Sequence, residues 1–344
     1  MDKKLVAVAV ASALAMPMAA QAVKYSASGQ VNRAIMFADD GQNSDTMHVD
    51  GDASGTRFRF TGSEDIGNGL TAGFRLEIEA QSNDSGKVTM KNESDAGGGL
   101  AERHWDLYFS GDFGTLTLGQ GSDATDGVAF ADLNNAWIAV ENATDFGCAI
   151  EFRTGSGAST GVSTCDVTPS YDGGRRDRVR YDTPAIGPLS AAVSHATDDR
   201  VDGMIKVAGS AAGGAYDVRA GYANVEDGVV TVSGAFKFAQ GSSIAAAWGQ
   251  QSFDAAGASD ADYYYIKLGH DWGNNSVAVD YKSSSDNGGI SGADGSSWGI
   301  GAVHTMPKPG IDLYAGYRWF ELDVSGVNAD DVSVFFVGSR IKFN

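Results

Sequence analysis

Between Gly55 and Glu79 the chain alternates with period two. Phe58 and Phe60 fall on one side, and Arg57, Arg59 and Thr61 fall on the other. Further on, Leu70, Ala72, Phe74, Leu76 and Ile78 share a face, opposed by Thr71, Gly73, Arg75, Glu77 and Glu79. Such alternation belongs to β-strands with one apolar and one polar face. The intervening Asp65-Ile66-Gly67-Asn68-Gly69 has the glycines and asparagine that accept positive φ, so the stretch reads as a hairpin. A sheet with two unlike faces either covers a soluble core or closes into a barrel with lipid outside and water within.

Segments of the same character run almost without pause. Sixteen are read, at 23–38, 55–64, 70–82, 101–111, 115–121, 176–184, 189–197, 201–211, 215–225, 229–238, 243–253, 261–272, 276–286, 296–306, 311–323 and 331–344. No 3.6-residue period intervenes, so helices are expected to be short and confined to loops. The connections alternate in length. Those at 65–69, 112–114, 185–188, 212–214, 239–242, 273–275 and 307–310 are turn-like. Most others, at 39–54, 83–100, 122–175, 254–260, 287–295 and 324–330, are longer, although 198–200 and 226–228 are short. Short turns on one rim, longer loops on the other and an even strand number are the habit of outer-membrane barrels.

The polar faces suit a watery lumen. Val230, Val232, Gly234, Phe236 and Phe238 oppose Val229, Thr231, Ser233, Ala235 and Lys237. Ile311, Leu313, Ala315, Tyr317 and Trp319 oppose Asp312, Tyr314, Gly316 and Arg318. Phe335, Val337, Ile341 and Phe343 oppose Gly338, Arg340 and Lys342. Tyr263–Tyr265, Trp272, Trp298 and Trp319 are expected to form aromatic belts at the membrane interfaces. A propeller would show a repeat of fixed length, and a sandwich would need fewer strands. The expected fold is all-β: a 16-stranded antiparallel transmembrane β-barrel, which leaves no sheet edge in lipid.

Lys3 and Lys4 precede an apolar run from Leu5 to Met16 and then Ala20-Gln21-Ala22, the pattern of a cleaved secretory signal peptide. Residues 1–22 are expected to be removed, leaving 23–344 as one barrel. Forty-six glycines against six prolines, with 42% hydrophobic residues, suit many strands joined by tight turns rather than disorder. The formal charge of −19 becomes −20 without Asp2, Lys3 and Lys4. Such acidity argues against nucleic acid, whose binders carry basic stripes. Cys148 and Cys165 of an exported chain are expected to form a disulfide, contributing on the order of 3 kcal/mol in the loop-entropy model. No third ligand at metal spacing accompanies them, and no metal or cofactor is expected.

The connection 122–175 is far longer than any other, and loops of that length are usually functional or disordered. Phe130, Leu133, Trp137, Ile138 and Phe146 make it too apolar for a free tail. Folded back into the barrel it would bury those side chains, narrow the channel and bring in Asp123, Asp126, Asp132, Glu141 and Asp145. The alternation aims Arg57, Arg59, Arg75, Arg178 and Arg180 into the lumen across from it. Carboxylates facing arginines in a narrow aqueous gap would set up a transverse field that favours polar solutes.

GTRFRFTGSEDIGNGLTAGFRLE (55–77), FSGDFGTLTLGQ (109–120) and RVRYDTPAIGPLSAAVSHA (178–196) resemble the general Gram-negative porins of the sixteen-strand trimeric type. The resemblance implies a homotrimer of barrels, each with its third loop folded inside, passing small hydrophilic solutes and ions by diffusion. It also implies that Arg57, Arg59, Arg178 and Arg180 form the basic wall, with the carboxylates facing it among the five loop acids. An acidic loop points to a mild cation preference, which the wall arginines oppose. A substrate-selective channel for anions or oligosaccharides, and a barrel-anchored receptor or adhesin, are the alternatives. No enzyme is expected, since His48, His104, His195, His270 and His304 lie on different elements without a hydrolase motif.

Overall fold

The computed structural model describes residues 24–344 apart from 95, 226 and 227; the expected signal peptide, 1–22, lies outside the described residues. β1 (Lys24–Asp39) is followed by β2 (Ser44–Val49), β3 (Arg57–Asp65), β4 (Thr71–Gln81), β5 (Gly99–Gly111) and β6 (Gly114–Ser122). Within the long connection, β7 (Glu151–Arg153) and β8 (Ser159–Ser163) form a hairpin of their own. The main sheet resumes with β9 (Arg175–Asp182), β10 (Leu189–Ala196), β11 (Val201–Ala211), β12 (Gly214–Ala223) and β13 (Val229–Phe238). It continues through β14 (Ser242–Gln251), β15 (Ala261–Trp272), β16 (Asn275–Ser285), β17 (Ala293–Met306), β18 (Ile311–Val324) and β19 (Val332–Phe343).

Neighbours pair antiparallel, and β19 returns to β1, from Gly29 opposite Phe343 to Asp39 opposite Ser333. β2 and β3 both lie on β1, against residues 34–39 and 24–30, so they share one place in the ring. The barrel therefore has the sixteen strand positions expected. Closure leaves the ring without an end strand, the condition for a sheet in lipid. The first hairpin turns as its residues dictate: Gly67, Asn68 and Gly69 have φ of 92°, 56° and 73°, and the Gly67 N–H donates to the Asp65 carboxylate at 2.8 Å.

Phe58 and Phe60 stand 45% and 50% exposed on the outer face, while Glu77 on the inner face is fully buried. Among the described residues, helix is limited to two short 3-10 turns in loops, Asp52–Ser54 and Asn287–Gly289. One expectation is corrected. Of Tyr263–Tyr265, only Tyr264 faces outward to join a belt; Tyr263 and Tyr265 are buried inside, as period two requires.

The inner face also differs from a uniformly polar lining. Met36, Met47, Val49, Phe320, Val332, Val334 and Phe336 point inward and are buried together with Ile138, Phe146, Ile150 and Phe152 of the long connection. β2 escaped sequence reading for this reason, because Met47 and Val49 are apolar on the side where a lumen would call for polar residues.

Candidate functional site

From Ser122 the chain leaves the wall and runs along the inside of the ring. The Ala124 N–H donates to Ser194 Oγ at 2.9 Å, Thr125 N–H to Asp202 at 3.0 Å and Ala131 N–H to Ser233 Oγ at 3.2 Å. Asn134 Nδ2 donates to Asp271 at 2.8 Å. Ser194, Asp202 and Ser233 are buried on the inward side of β10, β11 and β13, so the long loop occupies the lumen. Ile138 and Phe146 are buried there, as expected of a loop too apolar for solvent.

Three strand cations hold the middle of the loop. Lys267 Nζ on β15 donates to Asp132 and to the Val140 carbonyl, both at 2.6 Å. Lys282 Nζ on β16 donates to the carbonyls of Asn142, Thr168 (3.2 Å) and Pro169 (3.1 Å). Arg318 on β18 bonds Asp280 at 2.6 Å and reaches the Glu141 carbonyl at 3.5 Å. A loop lacks ladder partners for its carbonyls, and buried ammonium donors supply them. Packing completes the fit. Phe146 stacks on Phe336 with ring centroids 3.8 Å apart. Gly147 has φ +77°, and a Cβ there would lie 2.6 Å from Val334, so no other residue fits.

Cys148 and Cys165 form the expected disulfide, with Cα atoms 4.7 Å apart and the β7–β8 hairpin between them. Reduction should leave the barrel folded and loosen only this hairpin, because the strand cations hold the loop on either side. Open-channel current noise measured with and without reductant checks this; unchanged noise would mean the bridge does not restrain the loop.

The five wall arginines lie on three strands and are paired with carboxylates of the same wall. Arg57 (3.4 Å), Arg59 and Arg103 (2.9 Å) all bond Glu77, and Arg103 also bonds Glu79. Arg75 (2.8 Å) and Arg178 (3.0 Å) share Asp106. Arg178 is itself buried and donates to the Gly119 and Ser122 carbonyls. Arg180 bonds Asp182 at 2.7 Å and the Asp123 carbonyl at 2.6 Å, so both β9 arginines fasten the root of the loop. In the ring of sixteen, β3 and β4 lie half a turn from β13 and β14. Arg57, Arg59 and Arg75 thus stand across the lumen from the side on which the loop is anchored.

The loop acids find separate partners. Asp123 bonds Arg176 and lies 3.1 Å from Arg200; Asp126 lies 3.9 Å from Arg175; Asp132 bonds Lys267. The carboxyls of Glu141 and Asp145 neighbour each other. Among the described residues, no ion pair joins the five wall arginines to the five loop acids.

Asp52 and Asp172 flank the loop. Burial, with Asp145 and Asp84 nearby, pushes the Asp52 carboxyl from 3.8 up to about 7. Burial also pushes Asp172 up to about 7, although its carboxylate accepts the Gly127 and Ala129 N–H groups. With the loop packed, these groups hold protons between pH 3.8 and about 7; with it detached, they release them. Packing is thus strongest in acid and weakens as pH rises through about 7. Open-channel noise should therefore fall as pH is lowered from neutral toward 4; noise that rises would contradict this assignment.

Sequence reading passed over Glu77, Glu79 and Asp106 as partners, although the alternation placed Glu77 and Glu79 beside Arg75. It missed Arg103 for a structural reason. The β4–β5 register shifts between Glu77 and Ile78, so Arg103 joins His104 on the inner side. Strict alternation would have sent it outward with Trp105.

A family model described as Gram-negative porin matches residues 7–325. No curated protein sequence matches the chain. Among solved structures, the anion-selective porin from Comamonas acidovorans is similar at 18% identity and TM-score 0.67, over 93% of this chain and 100% of that one. OmpT of Vibrio cholerae in its trimer form is similar at 12% identity and TM-score 0.62, over 94% and 100%. The outer membrane channel DcaP of Acinetobacter baumannii is similar at 13% identity and TM-score 0.62, over 95% and 100%. At such identities the structural likeness speaks for the fold, and the family match speaks for the lineage. The chain belongs to the Gram-negative porin family and is an outer-membrane β-barrel channel.

Proposed function

We propose that the channel's constriction lies between the loop arm fixed by Lys267, Lys282 and Arg318 and the arginine–carboxylate wall of β3 to β5. Small hydrophilic solutes and ions pass it by diffusion, with weak selectivity. One observation carries this reading: residues 122–175 are pinned inside a closed barrel whose inner wall is charged. Arg57, Arg59 and Arg75 supply the basic side, with Arg178 and Arg180 of β9 beside them at the loop's root, and Asp123, Asp126, Asp132, Glu141 and Asp145 supply the acidic side. Both sets are largely ion-paired, which favours low specificity over a steep field. The mature channel spans 23–344 and assembles as a homotrimer, sitting among outer-membrane lipid and lipopolysaccharide. The trimer form described for the Vibrio relative supports the assembly.

The net preference is mild and for cations, given the acidic loops. Anion preference is the second reading, favoured because the three carboxylates Glu77, Glu79 and Asp106 are outnumbered by the arginines they hold, Arg57, Arg59, Arg75, Arg103 and Arg178. Reversal potential in a salt gradient across a planar bilayer decides the sign. Chloride preference in the wild-type protein would favour the second reading.

A further inference from the structure

Between the first arm of the loop and the wall lies a recess of about 290 Å³. Phe130, Asp132, Trp137, Glu141 and Asn142 line it from the loop, and Tyr265 of β15 lines it from the wall. At roughly 30 Å³ per water it has room for one small organic solute.

Its polar atoms are mostly acceptors. Asn142 commits its amide N–H groups to the Ala129 carbonyl (3.0 Å) and the Tyr263 hydroxyl (3.2 Å), while its buried Oδ1 has no partner. Tyr265 is 6% exposed, and its buried hydroxyl has no partner either. Glu141 lies beside Asp145, and two carboxyls so close together favour keeping a proton. Burial, and then the Asp145 charge, push Glu141 well above the ordinary carboxylate range. The recess thus favours a positive charge beside three aromatic side chains, Phe130, Trp137 and Tyr265.

We propose that this recess binds a small organic ammonium solute, whose N–H groups donate to Glu141, Asn142 Oδ1 and the Tyr265 hydroxyl while its carbon skeleton lies on Trp137 and Phe130. The ammonium replaces the proton kept by Glu141 and Asp145. That proton leaves to solvent, so the net charge of the recess is unchanged. Charge-assisted hydrogen bonds and cation–π attraction act together at a site removed from bulk water. The charged groups facing the carboxyl pair are Lys267 and Asp132 on the Glu141 side and Arg318, Lys282, Asp84 and Asp52 on the Asp145 side. Each of the three cations is already committed: Lys267 to Asp132 and Val140, Arg318 to Asp280, and Lys282 to three carbonyls. The inference rests on the channel reading only for the route by which the solute arrives.

Titration calorimetry on the folded protein in neutral detergent at about pH 7 provides the test, with phenethylammonium as probe and phenethyl alcohol as its uncharged counterpart. The ammonium should bind at least about tenfold more tightly than the alcohol, as a hydrogen bond to a charged group implies. Glu141→Gln should weaken ammonium binding about tenfold or more, and Tyr265→Phe about threefold. Repeating the titration in buffers of different ionisation heat should reveal proton release on binding. Should Glu141→Gln fail to fold, Tyr265→Phe, which removes one oxygen atom, carries the same test. Equal binding of the alcohol, wild-type affinity in both variants, or no binding heat would overturn the proposal. Calorimetry needs no open pore, so its failure is distinct from an absence of conductance, which would count against the channel instead.

Discussion

Glu77→Gln is expected to turn the channel toward anions. Glu77 is fully buried and receives Arg57, Arg59 and Arg103, so one carboxylate balances three guanidinium groups. Glutamine keeps the shape and removes the charge. The wall then presents five arginines against Glu79 and Asp106 alone. An added positive charge at a narrow, poorly screened place should raise the chloride-to-potassium permeability ratio by about threefold or more. The same change should cost stability, about 3 kcal/mol, because breaking a buried pair leaves like charges together. The figure belongs at the lower end because the Arg59 side chain is 44% exposed and solvent screens it. Arg57→Ala with Arg59→Ala should move selectivity the opposite way, toward cations. Reversal potentials measured on both variants check the pair of signs; two shifts in the same direction, or none, would remove this wall from the constriction.

The second large effect is expected from Lys282→Met. Lys282 is 1% exposed, and its ammonium serves the carbonyls of Asn142, Thr168 and Pro169 from two distant parts of the loop. Methionine fills similar volume without a donor. Hydrogen bonds to a charged group contribute roughly 1.5–3 kcal/mol each where water is excluded. The freed carbonyls can find lumen water, so the barrel should stay folded while the loop detaches. A net loss of about 3 kcal/mol would raise the detached population on the order of a hundredfold. Single-channel records should then show larger conductance steps and strong open-channel noise. A quiet wild-type trace from Lys282→Met would mean the loop is held by its apolar contacts, Phe146 on Phe336 foremost.

Much of the barrel was legible because a strand writes its environment in a two-residue period. Arg57, Phe58, Arg59 and Phe60 declare their faces without any distant partner, and Gly67-Asn68-Gly69 declares the turn. β2 was not legible, since Met47 and Val49 point inward onto a core supplied by the loop. Arg103 was hidden by the register shift beside Glu77. Lys267 and Lys282 were passed over, because Lys282 meets Asn142 across 140 residues of sequence and bonds a backbone carbonyl, which any residue carries. The loop acids were readable as charges, but their partners depend on the path the loop takes through the lumen, and no periodicity encodes that path.

A water-filled channel narrowed by residues 122–175 should be visible in the single-channel conductance of the folded wild-type protein in a planar bilayer, with neutral sugars of graded size added to the bath. Discrete conductance steps are expected, reduced by small sugars and unaltered by sugars too large for the constriction. Folded protein that inserts and yields no steps would rule such a channel out.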